Sequence, residues 1–253
     1  MLEAYLKQRR QEKDILLMTH IVAGYPSWEA CTAMVDAMVE AGVDLMEMQI
    51  PFSEPMADGP VILKANQDAL ERGVTVARCL AFGREMARRH KIPFLYMTYY
   101  NILFRHGVEA FVEEMAESGI QGAIVPDLPP EEGEVYLKAM ARFDRNPIFI
   151  FSPTTSDARL SYLSSFARGF VYCVARKGVT GMDTHFSDEL GAYLARCRRA
   201  TDLPLALGFG VKDKTDVDFL KGKADIAVIG TQTLRLVDSQ GVGAVGDFIR
   251  GLQ

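Results

Sequence analysis

In the run Leu45-Met46-Glu47-Met48-Gln49-Ile50 a carboxylate sits among apolar residues. If the run is a strand, alternation puts Glu47 on the same face as Leu45 and Gln49. An ionised group in that setting is costly unless it is paired or functional. Two readings stay open: a glutamate hydrogen-bonded at a barrel mouth, or a general acid or base tuned by partial burial. The next ten residues, 51–60, contain three prolines and a glycine and therefore continue neither a strand nor a helix interior. They bring two more acids, Glu54 and Asp58. Asp58, just before Gly59-Pro60, serves equally well as a turn or cap residue or as a second working carboxylate.

A second chemical signal is glycine at three later turns: Lys177-Gly178-Val179-Thr180-Gly181, Gly208-Phe209-Gly210-Val211 and Gly230-Thr231. Glycine lets backbone N–H groups approach an anion, and a helix N-terminus favours negative charge. Residues 230–237 read as a short helix placed to contribute that end. Each turn alone is a weak signal, but together they point to a phosphate site. His20, His90, His106 and His185 lack ligand spacing, so no metal site is expected. The tyrosines 96, 99 and 100 cluster at one run and read mainly as core, although the last two stand at its end, where a ligand is in reach.

The elements needed to position these residues follow from the apolar pattern. Short β-rich runs occur at 16–22, 44–50, 92–98, 122–125, 147–152, 169–174, 203–208 and 225–229. Several are apolar almost throughout, as expected of parallel strands covered on both faces. Helical stretches lie between them. Ser27 caps one running to Ala41, residues 108–118 form another with Gly119 as its stop, Pro130 opens a third at its first position, and 213–220 is a short fourth. Eight strand–helix units in this length predict an α/β fold, a single (β/α)8 TIM barrel domain over residues 1–253, with a short extra phosphate-binding helix after strand eight. A doubly wound open sheet is the rival, but Ala23-Gly24-Tyr25-Pro26 after the first run is no dinucleotide-binding turn. In a barrel, the residues after each strand form the site, which collects Glu47, Asp58 and the glycine turns at one end.

The chain has 253 residues and a formal net charge of −5, which argues against a nucleic-acid partner. It leaves room for a small phosphorylated ligand, because one phosphate needs only a few N–H groups. No apolar run approaches the ~20 residues of a membrane span, and the charged N-terminal stretch is unlike a signal peptide. Cys31, Cys79, Cys173 and Cys197 are scattered without metal or disulfide spacing, which suggests reduced core residues and a cytoplasmic location.

Taken in order, these residues resemble the tryptophan synthase alpha chain family over nearly the whole sequence. Residues 46–60 are the most specific match, supported by Gly73-Val74-Thr75, Tyr99-Tyr100-Asn101, Val125-Pro126-Asp127-Leu128-Pro129, Gly178-Val179-Thr180-Gly181 and Gly208-Phe209-Gly210. The resemblance implies a carbon–carbon lyase of tryptophan biosynthesis that cleaves indole-3-glycerol phosphate by retro-aldol chemistry into indole and glyceraldehyde 3-phosphate. It implies Glu47 as acid/base and Asp58 as acceptor for the indole N–H. Tyr172 would line the site, Phe209 would pack on the indole, and Gly181, Gly210, Gly230 and Thr231 would hold the phosphate. Thr180 would lie in a lid, and His20 and Met97 would stand in the indole pocket. It also implies a beta chain as partner, in an alpha2beta2 heterotetramer, facing Pro51, Glu54, Asn101 and Pro129. Pyridoxal phosphate would belong to that partner, with no cofactor in this chain.

The sequence departs from the family pattern at several of these positions. Gln49 stands where glycine is usual, His20 where an apolar aromatic is usual, Met97 where leucine is common, and Glu54 where aspartate is commoner. A side chain at position 49 is expected to crowd the site, to bond the glutamate, or to point into an altered pocket. Two further readings stay open: a lyase for a related glycerol phosphate, and an alpha-like chain that mainly binds and activates a beta chain.

Overall fold

The computed structural model describes residues 2–175, 188–208 and 210–253. Its strands are β1 (Leu16–Val22), β2 (Leu45–Gln49), β3 (Phe94–Met97), β4 (Gly122–Ile124), β5 (Asn146–Ile148), β6 (Ile150–Phe151), β7 (Val171–Val174), β8 (Leu205–Gly208) and β9 (Ile226–Ile229). All pair in parallel, in the order β5-β4-β3-β2-β1-β9-β8-β7-β6. The two ends of this order, β5 and β6, are consecutive in the chain, with only Phe149 between them. The Phe149 carbonyl accepts from Tyr172 N at 2.9 Å, so the sheet curls round to a nearly closed barrel. The run expected as one strand at 147–152 is therefore two. Its first half pairs with β4 and its second with β7, and the break at Phe149 lets one segment serve both neighbours.

The described helices are α1 (Leu2–Arg9), α2 (Trp28–Glu40), α3 (Pro60–Glu71), α4 (Val76–Arg89), α5 (Tyr100–His106), α6 (Val108–Glu117), α7 (Glu134–Arg142), α8 (Asp157–Ser164), α9 (Asp188–Ala200), α10 (Lys214–Leu220), α11 (Thr231–Gln240) and α12 (Val245–Gly251). Local chemistry sets their starts. The Ser27 hydroxyl accepts from Ala30 N at 3.1 Å, and Asp213 accepts from Asp216 N at 3.1 Å. The expectation that Pro130 opens a helix is corrected. Pro129 and Pro130 accept from Glu132 N and Gly133 N in successive turns, and α7 begins only after Gly133. Two prolines and a glycine within five residues favour turns over helix propagation.

Strand alternation sorts the apolar side chains into two layers. Leu17, Ile21, Met46, Met48, Phe94 and Tyr96 point outward into the layer shared with the helices. Leu16, Met18, Leu45, Leu95, Ile148, Ile226 and Val228 fill the barrel interior. Leu2 and Leu6 of α1 join that inner cluster at its N-terminal end. Asp44, fully buried at the same end, accepts from Leu17 N at 2.9 Å and pairs with Arg9 at 2.8 Å and Lys13 at 3.0 Å. The four cysteines are buried and free. Among the described residues no helix is long and apolar enough to cross a membrane, and no group of three His, Cys, Asp or Glu could hold a metal ion.

Candidate active site

Parallel pairing of β1 with β2 sets His20 opposite Glu47. Both side chains enter the barrel, where His20 is 3% and Glu47 4% exposed. His20 Nδ1 lies 2.9 Å from Glu47 Oε1, and a carboxylate oxygen facing it makes Nδ1 the donor. Glu47 Oε2 and His20 Nε2 are buried without a partner among the described residues. Burial lowers the proton affinity of the imidazole. The hydrogen bond to Glu47, the charges of Glu47 and Asp58, and the Gln49 amide outweigh that, so His20 titrates above the usual imidazole value.

Gln49 is two residues along the same strand face and fully buried. Its Nε2 donates to Asp58 Oδ2 at 2.6 Å. The Tyr99 hydroxyl donates to the same oxygen at 3.2 Å and accepts from Ala57 N at 3.1 Å, tying the proline-rich loop to the end of β3. Burial pushes the Asp58 carboxyl above the ordinary carboxylate range. Hydrogen bonds from Gln49 and Tyr99 and the charge of His20 work against that rise without cancelling it. Of the outcomes expected for a side chain at position 49, a bond to the glutamate is not the one found. Gln49 bonds the aspartate, and it is His20 that bonds the glutamate.

His20, Glu47 and Asp58 line one cavity at the C-terminal ends of the strands. Met97, Ile124, Ile150, Val174 and Val228 supply its apolar wall. Tyr172 enters from β7, and a Cβ on Gly208 of β8 would come within 2.5 Å of its Cε1, so only glycine leaves room for the ring. Burial drives the Tyr172 phenol well above its usual value, with Glu47 and Asp58 adding to the effect, so it stays protonated.

The cavity is also bounded by Gly210, Gly230 and Thr231. Gly210 has φ +124°, a conformation that favours glycine. Gly230 caps the N-terminus of α11, and Thr233 donates to the Gly230 carbonyl from both N (3.1 Å) and Oγ1 (2.7 Å), which folds the first turn. The first N–H groups of a helix have no partner within it and carry the positive end of its dipole. Anion capture is the chemistry this end offers.

His20, Glu47, Asp58, Met97, Tyr172, Gly210, Gly230 and Thr231 all meet at this cavity. Thr180, Gly181 and Phe209 lie outside the described residues. Glu54 and Asn101 are exposed at the same end, Pro129 is half-buried and Pro51 buried. The sequence reading did not single out Lys212 or Arg235, and it gave Gln49 and Tyr99 no assigned role in the site. Lys212 and Arg235 line the cavity beside Gly210 and α11. Tyr99 was within reach, since it stands at a strand end. Arg235 carried a signal as well, one turn into the helix read as phosphate-binding.

The sequence matches the family described as "Tryptophan synthase alpha chain" over residues 6–246. It is 64% identical over 252 residues to a tryptophan synthase alpha chain of Desulforapulum autotrophicum, covering all of both chains. Among solved structures, tryptophan synthase of Mycobacterium tuberculosis has a chain of the same fold, with a TM-score of 0.93 at 30% identity, covering 99% of this chain and 96% of that one. A chain of the tryptophan synthase complex of Pyrococcus furiosus gives a TM-score of 0.86 at 26% identity, covering 94% and 97%.

Proposed function

Because this chain belongs to the tryptophan synthase alpha chain family, we propose that its barrel mouth cleaves indole-3-glycerol phosphate to indole and glyceraldehyde 3-phosphate. The observation that carries this reading is the meeting of two buried carboxylates, Glu47 and Asp58, with the N-terminus of α11 around one cavity. The two halves suit a ligand with a ring at one end and a phosphate at the other.

The reaction breaks the bond between indole C3 and the side-chain carbon that bears a hydroxyl. C3 first gains a proton, which puts positive charge on the ring. The hydroxyl then loses its proton, its oxygen forms the aldehyde C=O, and the electron pair of the broken bond passes to the ring and restores neutral indole. One proton is lost and one gained, so the count closes on a single acid/base, Glu47. Its Oε2 is buried without a partner among the described residues, which leaves it for substrate. Such proton transfer contributes on the order of 10²–10⁴-fold. Asp58 accepts the indole N–H and offsets positive charge growing on the ring. Tyr172 remains a neutral phenol against the substrate, and Met97, Ile124 and Val228 hold the ring away from water. Thr231, Gly230 and Gly210 offer N–H groups to the phosphate, with Lys212 and Arg235 adding charge around it. Thr180, Gly181 and Phe209 are proposed for the lid, the phosphate and the indole face, as the family resemblance implies.

A beta chain is the proposed partner, in a cytoplasmic alpha2beta2 assembly. Two large apolar side chains, Met56 (77% exposed) and Phe104 (67%), stand beside Glu54 and Asn101 on the cavity end, as a docking surface requires. Pyridoxal phosphate, which lets that partner join indole to serine, is assigned to the beta chain, and no step on this chain runs through it.

Incubating the purified chain with indole-3-glycerol phosphate, alone and with a beta chain, and following indole tests the reading. Indole should form, faster with the partner, and Glu47→Gln should remove the activity in both mixtures. No indole in either mixture overturns it. Indole formation that survives both Glu47→Gln and Asp58→Asn overturns the assignment of residues.

A further inference from the structure

Two buried polar side chains, His20 and Gln49, each bind one of the two buried carboxylates. His20 holds Oε1 of Glu47 at 2.9 Å, and Gln49 holds Oδ2 of Asp58 at 2.6 Å. The first pairing is fixed by backbone register, since His20 and Glu47 are direct neighbours across β1 and β2. It occupies one oxygen of Glu47 and leaves the other, buried Oε2, without a partner among the described residues. A carboxylate free to rotate would present either oxygen, and one clamped at Oε1 presents only Oε2.

We propose that His20 is a positioning residue for Glu47: its Nδ1–H fixes the carboxylate so that Oε2 alone meets the substrate. This rests on the cleavage reading above. His20 itself exchanges no proton with substrate. The net step remains one proton from the substrate hydroxyl to Glu47 and one from Glu47 to C3.

The charge on His20 follows from what surrounds it. Glu47 faces it from β2 and Asp58 from the loop after β2, and both raise its proton affinity. Tyr172 from β7 lines the same cavity as a neutral phenol, and Gly230 at the start of α11, whose added Cβ would stand 3.5 Å from His20 Cβ, brings no side chain. Lys212 and Arg235 line the cavity on the α11 side. The two carboxylates are the direct electrostatic partners of the ring.

The test compares the parent chain with His20→Phe and His20→Asn, each checked for folding by circular dichroism and thermal unfolding. His20→Phe removes both the donor and the charge, and kcat for indole formation should fall with KM little changed. His20→Asn keeps a donor, so it should recover part of the lost kcat, which a merely structural role would not do. A His20→Phe enzyme with the parent's kcat overturns the proposal, as does an equal loss of kcat in both variants.

A second measurement needs no turnover. Nuclear magnetic resonance of the labelled imidazole should show His20 titrating lower by about 1–3 units in Glu47→Gln than in the parent. An unmoved titration overturns the charge pairing even if a variant fails to fold. If the parent makes no indole while the titration moves as expected, it is the cleavage reading that fails and not the pairing.

Discussion

Gln49 and Asp58, nine residues apart, are joined side chain to side chain inside the barrel, Nε2 to Oδ2 at 2.6 Å. The bond connects the end of β2 to the proline-rich loop that follows it and fixes where a negative charge sits over the cavity.

Gln49→Ala should therefore loosen both fold and site. A hydrogen bond to a charged group contributes about 1.5–3 kcal/mol, and its loss should appear as a fall of that size in unfolding free energy by urea titration. Asp58 keeps Tyr99 as a donor, so the loop stays in place but its carboxylate turns more freely, and kcat for cleavage should drop. Unchanged stability would show that the bond carries nothing in solution.

Asp58 also predicts a pH dependence with a definite sign. Its carboxyl is held above the ordinary range, chiefly by burial, so the folded chain binds that proton more tightly than the unfolded chain. The cost of ionising it is absent below the ordinary value of about 3.9, grows as pH rises, and is complete above the raised value. Asp58→Asn stays neutral throughout and escapes the cost. The Tm of the variant minus that of the parent should increase between about pH 4 and pH 7 while cleavage is lost. A difference that is flat or shrinking with pH would contradict this.

Gly208→Ala tests the close approach of Tyr172. The added methyl meets the phenol ring from a neighbouring strand, and both residues are buried. Overpacking of this kind costs about 1–3 kcal/mol, measurable by denaturant titration. The displaced Tyr172 should lower kcat as well. A variant as stable and as active as the parent would mean the ring is free to move aside.

Thr231→Pro removes one N–H at the first position of α11, a place where proline suits a helix. Thermal stability should change little. If that N–H binds the phosphate, losing one charge-assisted bond of about 1.5–3 kcal/mol raises KM roughly 10- to 150-fold. An unchanged KM would remove Thr231 N from the phosphate site.

The barrel and the outline of the site were legible in the sequence for physical reasons. Glu47 was conspicuous because a carboxylate in an apolar strand needs a reason to be there, and the glycine turns fell at strand ends where a barrel gathers its ligand groups. The pairings were not legible. That His20 meets Glu47 depends on the parallel register of β1 and β2, which no local pattern specifies. Gln49 could have turned to either carboxylate, and only the course of the loop at 51–60 decides for Asp58. The strand break at Phe149 was hidden inside an evenly apolar run, and Pro130 stood in a suitable place for a helix start that two successive turns took instead.

Leu2 and Leu6 of α1, seated among Leu16, Leu45, Leu95 and Ile226, give the barrel a hydrocarbon floor. That floor closes the N-terminal end of the barrel, so among the described residues the carboxylates are approached from the C-terminal ends of the strands. A subunit docked over that rim would govern what enters and leaves without touching the reacting atoms.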